Sequence, residues 1–326
     1  MNNDVFTPPF YLRSTIAQTL LASSKFSFHR KSAMLENSRE VLFHLPGDIR
    51  LQGFYSPQVG RSALGLAMLL HGWEGSSNSA YILRTGKVLY ENGYSIFRLN
   101  YRDHGETHHL NQGLFYAVLL DEVFSAVQQV AMYESDLPFF LAGFSMGGNF
   151  ALRIARKCAQ NPIANLKHIA SISPVLDPEK STLAIDHFLL LRKYFRKKWS
   201  LSLGKKQSLF PDLYDFSDVL GLGTIAEMTE ILIQRHSEYK NAADYFSHYT
   251  VLGNALENLT IPVTIITAQD DPIIPVEDFY NLRLGKTTDL IIHRHGGHNG
   301  FLESISGDTW YERKLLKIFS ASPASE

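Results

Sequence analysis

The chain is poor in the features that mark disulfide-rich, membrane-spanning and strongly charged proteins. Its 326 residues include one cysteine, Cys158, which excludes an internal disulfide framework. Lys and Arg number 31 against 32 Asp and Glu. This balance argues against a general nucleic-acid-binding protein, because such proteins carry a basic surplus. No stretch approaches the 18 uninterrupted apolar residues of a membrane span, so no membrane span is expected.

The first residues also lack the basic start and continuous apolar run of a secretory signal peptide, so we expect a cytoplasmic protein. The apolar share of 45% is ample for a sizeable buried core. The chain is also long for a single domain without an insertion. Cys158 falls in register with Ala151, Ile154 and Ala155 on the inward face of a predicted helix. We therefore interpret it as part of the core.

Apolar runs of strand length alternate with helical patterns along most of the chain. Strands are predicted at 39–45, 49–55, 64–70, 95–101, after Pro138, and at 166–175, 261–267 and 289–293. Helices are predicted at 79–91, 114–133, 276–284 and 310–319, and after Ser145. The first two strands flank a Pro46-Gly47-Asp48 turn and read as a hairpin. The alternation of strands and helices predicts an α/β fold with a mostly parallel, doubly wound sheet.

One connection is far too long for an ordinary crossover, namely the one from the strand ending near 175 to the strand starting at 261. It holds helix-like segments at 187–199 and 224–236, with a predicted loop at 205–218. We predict an inserted helical cap over the carboxyl edge of the sheet. The predicted domains are an N-terminal arm that packs on the domain (1–37), an α/β core (38–176 and 258–326) and the cap (177–257).

The pentapeptide Gly143-Phe144-Ser145-Met146-Gly147 lies between a predicted strand and a predicted helix, which is the context of a nucleophile elbow. Such a turn strains the serine backbone, and side chains two positions before or after it would crowd the turn, so glycine is required there. Ser145 is then lifted clear of the sheet edge, above the positive end of the next helix. The alternative interpretation is a glycine-rich turn without chemistry.

A serine hydroxyl needs a base to take its proton and an acid to orient that base. On a sheet of this kind the chain order is serine, acid, histidine. Asp271 follows the predicted strand at 261–267, and His298 lies in a glycine-flexed loop after the strand at 289–293. We predict Ser145, Asp271 and His298 as the catalytic residues.

Neighbouring residues compete for two of these roles. Asp270 is the rival of Asp271, although an Asp followed by Pro, two aliphatic residues and Pro fits the pattern expected after the strand. His293 and His295 rank below His298 because they lie on the strand or at its end. Each residue taken singly reads as an ordinary turn or loop position. The order of the signals along the chain is what favours catalysis.

A further signal is His71-Gly72-Trp73, directly after the third strand. The second oxyanion donor of such a site comes from this loop. We therefore predict an oxyanion hole formed by the backbone N–H groups of Trp73 and Met146. His71 itself is interpreted as a structural residue that bonds to the backbone. Phe144 and His109 are predicted to border the substrate pocket.

A polar loop after the fourth strand has two interpretations. Its acidic and imidazole groups suggest a metal site, but their spacing is irregular and no helical His-x-x-x-His pattern supports one. A hydrogen-bonded loop that borders the pocket is favoured, and no metal is expected. The residues concerned are Asp103, His104, His108 and His109.

A basic run in the predicted cap also has two interpretations. It resembles an amphipathic helix that lies on a membrane or meets an acidic partner. A cap helix with one solvated basic face is the commoner structure and is favoured. The run consists of Arg192, Lys193, Arg196, Lys197 and Lys198.

Segments spread over most of the chain match one known family. They are FTPPFYLRS…IAQTLL, HGWEGSSNSAYI, NYRDHGETHH, GFSMGGN, DYFSHYTVLGNALENLTIPV, QDDPIIP and GGHNGF. On these segments the chain resembles the α/β-hydrolase fold proteins, specifically their YheT-like branch. The resemblance implies a triad of Ser145, Asp271 and His298, a serine hydrolase acting on esters, and no metal or organic cofactor. The chain departs from the family at Trp73, where a smaller aliphatic or Phe is usual, and in the RDHGETHH loop, so substrate preference is not carried over.

The predicted function is therefore a serine esterase that cleaves a small-molecule acyl ester through an acyl-enzyme. An acyltransferase or thioesterase that uses the same acyl-enzyme is the alternative. A non-catalytic binding protein on a hydrolase scaffold is a third, disfavoured because no triad member is missing. No nucleic-acid partner is expected, and any contact with a membrane surface would use the basic cap helix.

Overall fold

The computed structural model describes residues 5–24 and 32–321. Its centre is an eight-stranded sheet. The strands are β1 Arg39–Leu45, β2 Ile49–Ser56, β3 Gly65–Leu70, β4 Tyr94–Asn100, β5 Phe139–Phe144, β6 Leu166–Ile172, β7 Val263–Ala268 and β8 Thr288–His293. They lie in the order β1-β2-β4-β3-β5-β6-β7-β8. β1 pairs antiparallel with β2 and β2 with β4, whereas the remaining neighbours are parallel. The predicted hairpin and the mostly parallel sheet are both confirmed.

Helices cover both faces of this sheet. The α-helices of the described residues are α1 Thr15–Ser23, α2 Ala33–Glu36, α3 Ala80–Glu91, α4 Leu120–Ala131, α5 Met146–Cys158, α6 Pro178–His187, α7 Leu189–Leu209, α8 Ser217–Leu220, α9 Ile225–His236, α10 Ala242–Ser247, α11 Glu277–Tyr280 and α12 Trp310–Ala321, and Phe10–Leu12 forms a 3-10 helix. β3 is buried along its whole length, and its side chains alternate between two cores. Leu66 and Met68 join the core under α4 and α5, while Ala67 and Leu69 join the core under α3 and α12.

Cys158 ends α5 and lies in the first of these cores. It is 2% exposed, and burial raises the pKa of its thiol to about 11. The prediction that this residue fills the core is confirmed. None of the helices in residues 5–24 and 32–321 combines the length and the apolar character that crossing a membrane requires.

The helices α6–α10 fill the long connection between β6 and β7. α7 is fixed to the core by the buried side chain of Lys206, which is 1% exposed. Its ammonium group lies 2.8 Å from an Asp103 carboxylate oxygen and also donates to the carbonyl oxygens of Asn111 (2.7 Å) and Gly113 (3.0 Å). A buried charge is tolerated only when it is paired and hydrogen-bonded in this way. Lys206 therefore links the helical segment to the loop that follows β4.

The prediction of a helix over 114–133 is wrong in its first third, because α4 begins at Leu120. The residues before it are held in an irregular loop by two long-range hydrogen bonds. The Phe115 N–H donates to an Asp103 carboxylate oxygen at 2.9 Å, and the Ala117 N–H donates to the Tyr245 hydroxyl at 2.9 Å. These tertiary partners replace the helical ones, which local apolar periodicity cannot indicate.

The predicted loop at 205–218 begins too early, because α7 runs through Leu209. Lys205 and Lys206 stay helical and pair with Glu106 and Asp103 on the core. The helix stops just before Pro211, whose ring would block its continuation.

Two other boundaries differ from the sequence prediction. The helix predicted over 276–284 is only α11, because the next residues leave it to pair with residues after α10. The Arg283 N–H donates to the Gly253 carbonyl at 2.7 Å, and Leu284 forms an isolated bridge with Leu256. β6 ends at Ile172, where Ser173 turns the chain with a φ of 43°.

The described parts of the N-terminal segment pack against the α/β core. Phe6 lies edge-on to the rings of His293 and Phe301, and Met34 is fully buried in the core under α3. Residues 1–4 and 25–31 of the predicted arm lie outside the described residues.

Candidate active site

The turn between β5 and α5 has the strained geometry that the sequence predicts. Ser145 has a φ of 56° and a ψ of −117°, which is an uncommon backbone conformation for a residue with a side chain. A Cβ atom on Gly143 would lie 2.1 Å from the Gly147 carbonyl oxygen, and one on Gly147 would lie 2.3 Å from the Leu70 carbonyl oxygen. The requirement for glycine at both positions is confirmed.

The structure brings Ser145, His298 and Asp271 together at the carboxyl ends of β5, β8 and β7. The Ser145 hydroxyl oxygen lies 2.9 Å from His298 Nε2, and His298 Nδ1 lies 2.9 Å from an Asp271 carboxylate oxygen. The Asp271 side chain is fully buried and also accepts the backbone N–H groups of Ile273 (2.8 Å) and Ile274 (3.0 Å). These contacts fix the carboxylate, which in turn fixes the imidazole ring between it and the serine.

The rival residues have other partners. Asp270 accepts the Gly297 N–H at 2.9 Å and the Thr15 hydroxyl at 3.0 Å. His295 lies 3.7 Å from Asp270, and His293 is buried against the ring of Trp310. Asp270 thus shapes the loop that carries His298, whereas Asp271 contacts the imidazole directly.

The helix α1 supports the His298 loop, a role that the sequence did not reveal. The Thr19 hydroxyl accepts the backbone N–H of His298 at 3.0 Å. The fully buried Gln18 side chain accepts the Leu302 N–H at 2.8 Å and donates to the Leu12 carbonyl at 2.8 Å. The one available signal was a pair of polar residues within an apolar helical stretch, and only the fold shows what they contact.

The residues that carry the predicted oxyanion donors, Trp73 and Met146, border the same cavity as Ser145. Met146 is the first residue of α5, and Trp73 follows β3, the neighbour of β5. The backbone N–H groups of both residues have no hydrogen-bond partner among the described residues, whereas the Gly72 N–H donates to the Tyr81 hydroxyl at 2.9 Å. The indole of Trp73 stacks on Phe195 of α7 with ring centroids 5.6 Å apart.

Ser145 and His298 line a cavity of about 630 Å³. Its walls come from the loops after β3 and β4 and from the helices α6, α7, α9 and α10. Many of the lining side chains are apolar. They include Leu114, Ile185, Leu203, Leu232, Ile233 and Phe246.

Two predicted pocket residues do not line this cavity. Phe144 is fully buried on the other face of the sheet, where it packs against the rings of Tyr81 and Tyr311. His109 is exposed, and it is the preceding residue, His108, that faces the cavity. Alternation along β5 directs Phe144 away from the site. In the irregular loop around His109, the spacing of residues along the sequence does not indicate which side chain faces the cavity.

The polar loop after β4 is hydrogen-bonded and borders the cavity, as predicted. His104 Nδ1 lies 2.8 Å from the Arg102 carbonyl, and His108 Nε2 lies 2.8 Å from the Ser202 hydroxyl. Burial lowers the pKa of each of these histidines to about 4, so both are neutral at pH 7. In residues 5–24 and 32–321, no group of three His, Cys, Asp or Glu side chains is arranged to hold a metal ion.

The His71 side chain bonds to the backbone of the next residue, in line with the structural role that the sequence indicates. Its Nδ1 atom lies 2.8 Å from the Gly72 carbonyl, and burial lowers the pKa of the imidazole well below its ordinary value. A neutral, fixed imidazole at this position shapes the loop that carries Trp73.

Glu74 lines the cavity next to this loop, and burial raises the pKa of its carboxyl group from 4.5 to about 8. The group is therefore mostly protonated at pH 7. Lys198 of α7 does not pair with this carboxyl group but donates to the Glu74 backbone carbonyl at 2.9 Å.

The free energy of unfolding of wild type should fall as the pH rises from 6 to 8, and we expect a smaller fall in Glu74→Gln. The folded-state pKa of about 8 lies above the ordinary value of 4.5, so the folded protein keeps a proton that the unfolded chain releases. The stabilisation is complete below the unfolded pKa and is lost as the pH rises through the folded pKa. Wild type should lose on the order of 2 kcal/mol more unfolding free energy over this range than Glu74→Gln.

Urea denaturation at pH 6, 7 and 8 measures this difference. Glu106→Gln is the matched control, because Glu106 also lines the cavity but its carboxylate is exposed and its pKa is lowered by Lys205. The control should keep the wild-type dependence on pH over this range. Parallel curves for wild type and Glu74→Gln would contradict the assignment of a raised pKa.

Comparison with known proteins gives a family match and several distant relatives. A model of the Hydrolase_4 family, described as serine aminopeptidase S33, matches residues 61–304. An abhydrolase domain-containing protein of Dictyostelium discoideum is 22% identical over 98% of this chain and 82% of its own length. Phospholipase ABHD3 of Bos taurus is 25% identical over 77% of this chain, which spans 62% of that protein.

A solved structure of an esterase from Pyrococcus furiosus is similar in fold. It superposes with a TM-score of 0.53 at 14% identity, covering 87% of this chain and 91% of the esterase chain. At this identity the likeness bears on the fold alone. Together with the family match and the sheet topology, it confirms the predicted α/β-hydrolase fold.

Proposed function

The chain belongs to the Hydrolase_4 family of serine hydrolases, and we propose that it cleaves carboxylic esters of small molecules through an acyl-enzyme. The observation that carries the proposal is the chain of contacts from Ser145 through His298 to Asp271, with both polar distances at 2.9 Å. A serine on a strained elbow, within hydrogen-bond reach of an oriented imidazole, is the arrangement that activates a hydroxyl for attack.

In the proposed mechanism the Ser145 oxygen attacks the ester carbonyl while His298 Nε2 takes its proton. His298 then gives this proton to the leaving alcohol as the carbon–oxygen bond breaks, which leaves an acyl group on Ser145. Water attacks the acyl-enzyme with His298 again as the base, and Ser145 is regenerated with release of the acid. Asp271 holds the Nδ1–H tautomer and stabilises the imidazolium that forms at each step.

The backbone N–H groups of Trp73 and Met146 are proposed to bind the oxyanion. Both are unpaired within the described residues, and each is expected to contribute about 3 kcal/mol of transition-state stabilisation. The unpaired state supports this role, because a donor that is already satisfied within the protein cannot gain an interaction as charge develops on the substrate.

The charges in the cavity favour an ester over a substrate with a free amino terminus. A free ammonium group needs an available carboxylate. Among the described residues, three acidic residues line the cavity. Asp103 pairs with Lys206, Glu106 pairs with Lys205, and Glu74 is mostly neutral at pH 7. The apolar walls are instead suited to an acyl chain.

We also propose that residues 177–257 act as the cap of this site and that the chain lies in the YheT-like branch of the fold. The cap assignment is supported by the cavity, since α6, α7, α9 and α10 contribute to its lining. The branch assignment is supported by the motifs that contain Ser145, Asp271 and His298.

Intact-mass analysis with a fluorophosphonate probe tests the proposed nucleophile. Wild type should gain one adduct, whereas Ser145→Ala and His298→Ala should gain none, because the probe needs an activated hydroxyl. Ser181→Ala is the matched control, since it removes another serine hydroxyl of the cavity, one that bonds among the described residues to the Asp177 carbonyl alone. The absence of an adduct on folded wild type, or an adduct on Ser145→Ala, would overturn the proposal.

A further inference from the structure

The helix α7 concentrates positive charge. Its 21 residues include seven Lys and Arg and no Asp or Glu, although the whole chain has a net charge of −1. Part of this charge is used within the protein: Lys205 and Lys206 pair with acidic residues, and Lys198 donates to a carbonyl. Lys193 and Lys197 are exposed and make no ion pair or hydrogen bond with the described residues.

These two lysines alternate with exposed apolar side chains on one face of α7. Leu190, Lys193, Tyr194, Lys197 and Leu201 follow the spacing of a single helix face, and we call them the outer face of α7. Leu190 and Leu201 are each 65% exposed and Tyr194 is 39% exposed. A helix face that meets only water has no need of exposed leucines on either side of its lysines.

The outer face of α7 adjoins the mouth of the cavity. Tyr194 and Leu201 are exposed, yet both also line the cavity that contains Ser145. Side chains that border both solvent and the cavity mark the place where the two meet. A molecule held against the outer face of α7 is therefore held at the cavity entrance.

We propose that the outer face of α7 docks on an anionic lipid membrane. Leucines and a tyrosine that enter the headgroup region, together with lysines that reach anionic headgroups, are the features of an interfacial helix. An acidic protein would use the lysines but would leave Leu190 and Leu201 without a matching environment. Docking stands independently of catalysis. Its consequence, delivery of membrane-borne acyl esters to Ser145, rests on the proposed function.

Vesicle co-sedimentation tests the docking surface with the whole chain. Wild type should bind vesicles of equal parts phosphatidylcholine and phosphatidylglycerol, and should bind vesicles of phosphatidylcholine alone much less. Binding to the anionic vesicles should be weaker at about 0.5 M than at about 0.1 M salt. Lys193→Glu/Lys197→Glu should weaken binding by at least about 30-fold. Leu190→Asn should weaken it as well, which a purely electrostatic contact would not require, because this change leaves the net charge unaltered.

Lys240→Glu/Lys286→Glu is the matched control, because it makes the same change in net charge at two exposed lysines that do not line the cavity. It should bind like wild type. The docking proposal is overturned by equal binding to both vesicle types, by an equal loss in the control, or by binding to soluble polyglutamate in place of vesicles.

Hydrolysis of p-nitrophenyl acetate, a soluble ester, separates this proposal from the proposed function. Lys193→Glu/Lys197→Glu should hydrolyse it at the wild-type rate, since neither lysine lines the cavity. Vesicle binding by a wild type without esterase activity would overturn the esterase and leave docking intact. Esterase activity without vesicle binding would overturn docking alone.

Discussion

Asp271→Asn should lower kcat for ester hydrolysis by about 10⁴-fold, because an amide at this position favours the wrong tautomer of the imidazole. In the structure the Asp271 carboxylate accepts the N–H groups of Ile273 and Ile274 through one oxygen and contacts His298 Nδ1 at 2.9 Å through the other. Asparagine has nearly the same shape, so the fold should be kept while the base is left wrongly protonated. Steady-state kinetics with a soluble ester measures the effect.

Asp270→Asn is the matched control, one position away on the same loop. Asp270 contacts the Gly297 N–H and the Thr15 hydroxyl and not the imidazole of His298. The substitution should therefore weaken one or two hydrogen bonds, each worth about 1 kcal/mol, and should lower the stability of the fold more than kcat. Equal losses of kcat in the two variants would show that the carboxylates act together. A full loss in Asp270→Asn alone would reverse the assignment.

Gly143→Ala should destabilise the protein by more than about 4 kcal/mol, which is exceptional for a single methyl group. The new Cβ atom would lie 2.1 Å from the carbonyl oxygen of Gly147 and 2.9 Å from the backbone nitrogen of Gly148. Both neighbours are backbone atoms of α5, so no side chain can rotate out of the way. Relief requires α5 to move off the sheet. Thermal and urea denaturation measure the loss, and soluble yield gives a second reading if the variant does not fold.

Gly204→Ala is the control for this substitution. Gly204 lies within α7, and a Cβ atom there would meet no atom of the described residues within 4 Å. Alanine is the better helix former by about 1 kcal/mol, so this variant should be as stable as wild type or slightly more stable. A Gly143→Ala protein with the wild-type melting temperature would show that the elbow relaxes without cost, contrary to its geometry.

Most of the α/β core was predictable from the sequence because its signals are local. A buried parallel strand is a short apolar run, and each such run here is followed by its polar or glycine-rich turn. The elbow could be predicted for the same reason, since the strain at Ser145 imposes glycine at two fixed neighbouring positions. The order of Ser145, Asp271 and His298 added a constraint that a chance match rarely meets.

The features that escaped prediction depend on contacts between distant parts of the chain. The loop before α4 is held by Asp103 and Tyr245, which no pattern within the loop can show. The support of His298 by Thr19 joins residues 279 positions apart. The prediction for Phe144 is wrong for a different reason. Its position next to the nucleophile does not indicate on which face of the sheet its side chain lies, and strand alternation places that side chain in the core under α3 and α12.

The single thiol of this protein, Cys158, can be used to detect local unfolding. Cys158 is buried at the end of the helix that begins beneath the nucleophile, and its raised pKa keeps it in the unreactive protonated form. An alkylating reagent therefore modifies the chain only when α5 opens away from the sheet. The rate at which the mass of one alkyl group is gained then measures the free energy of that opening in wild type and in every variant above. No cysteine has to be introduced for this measurement.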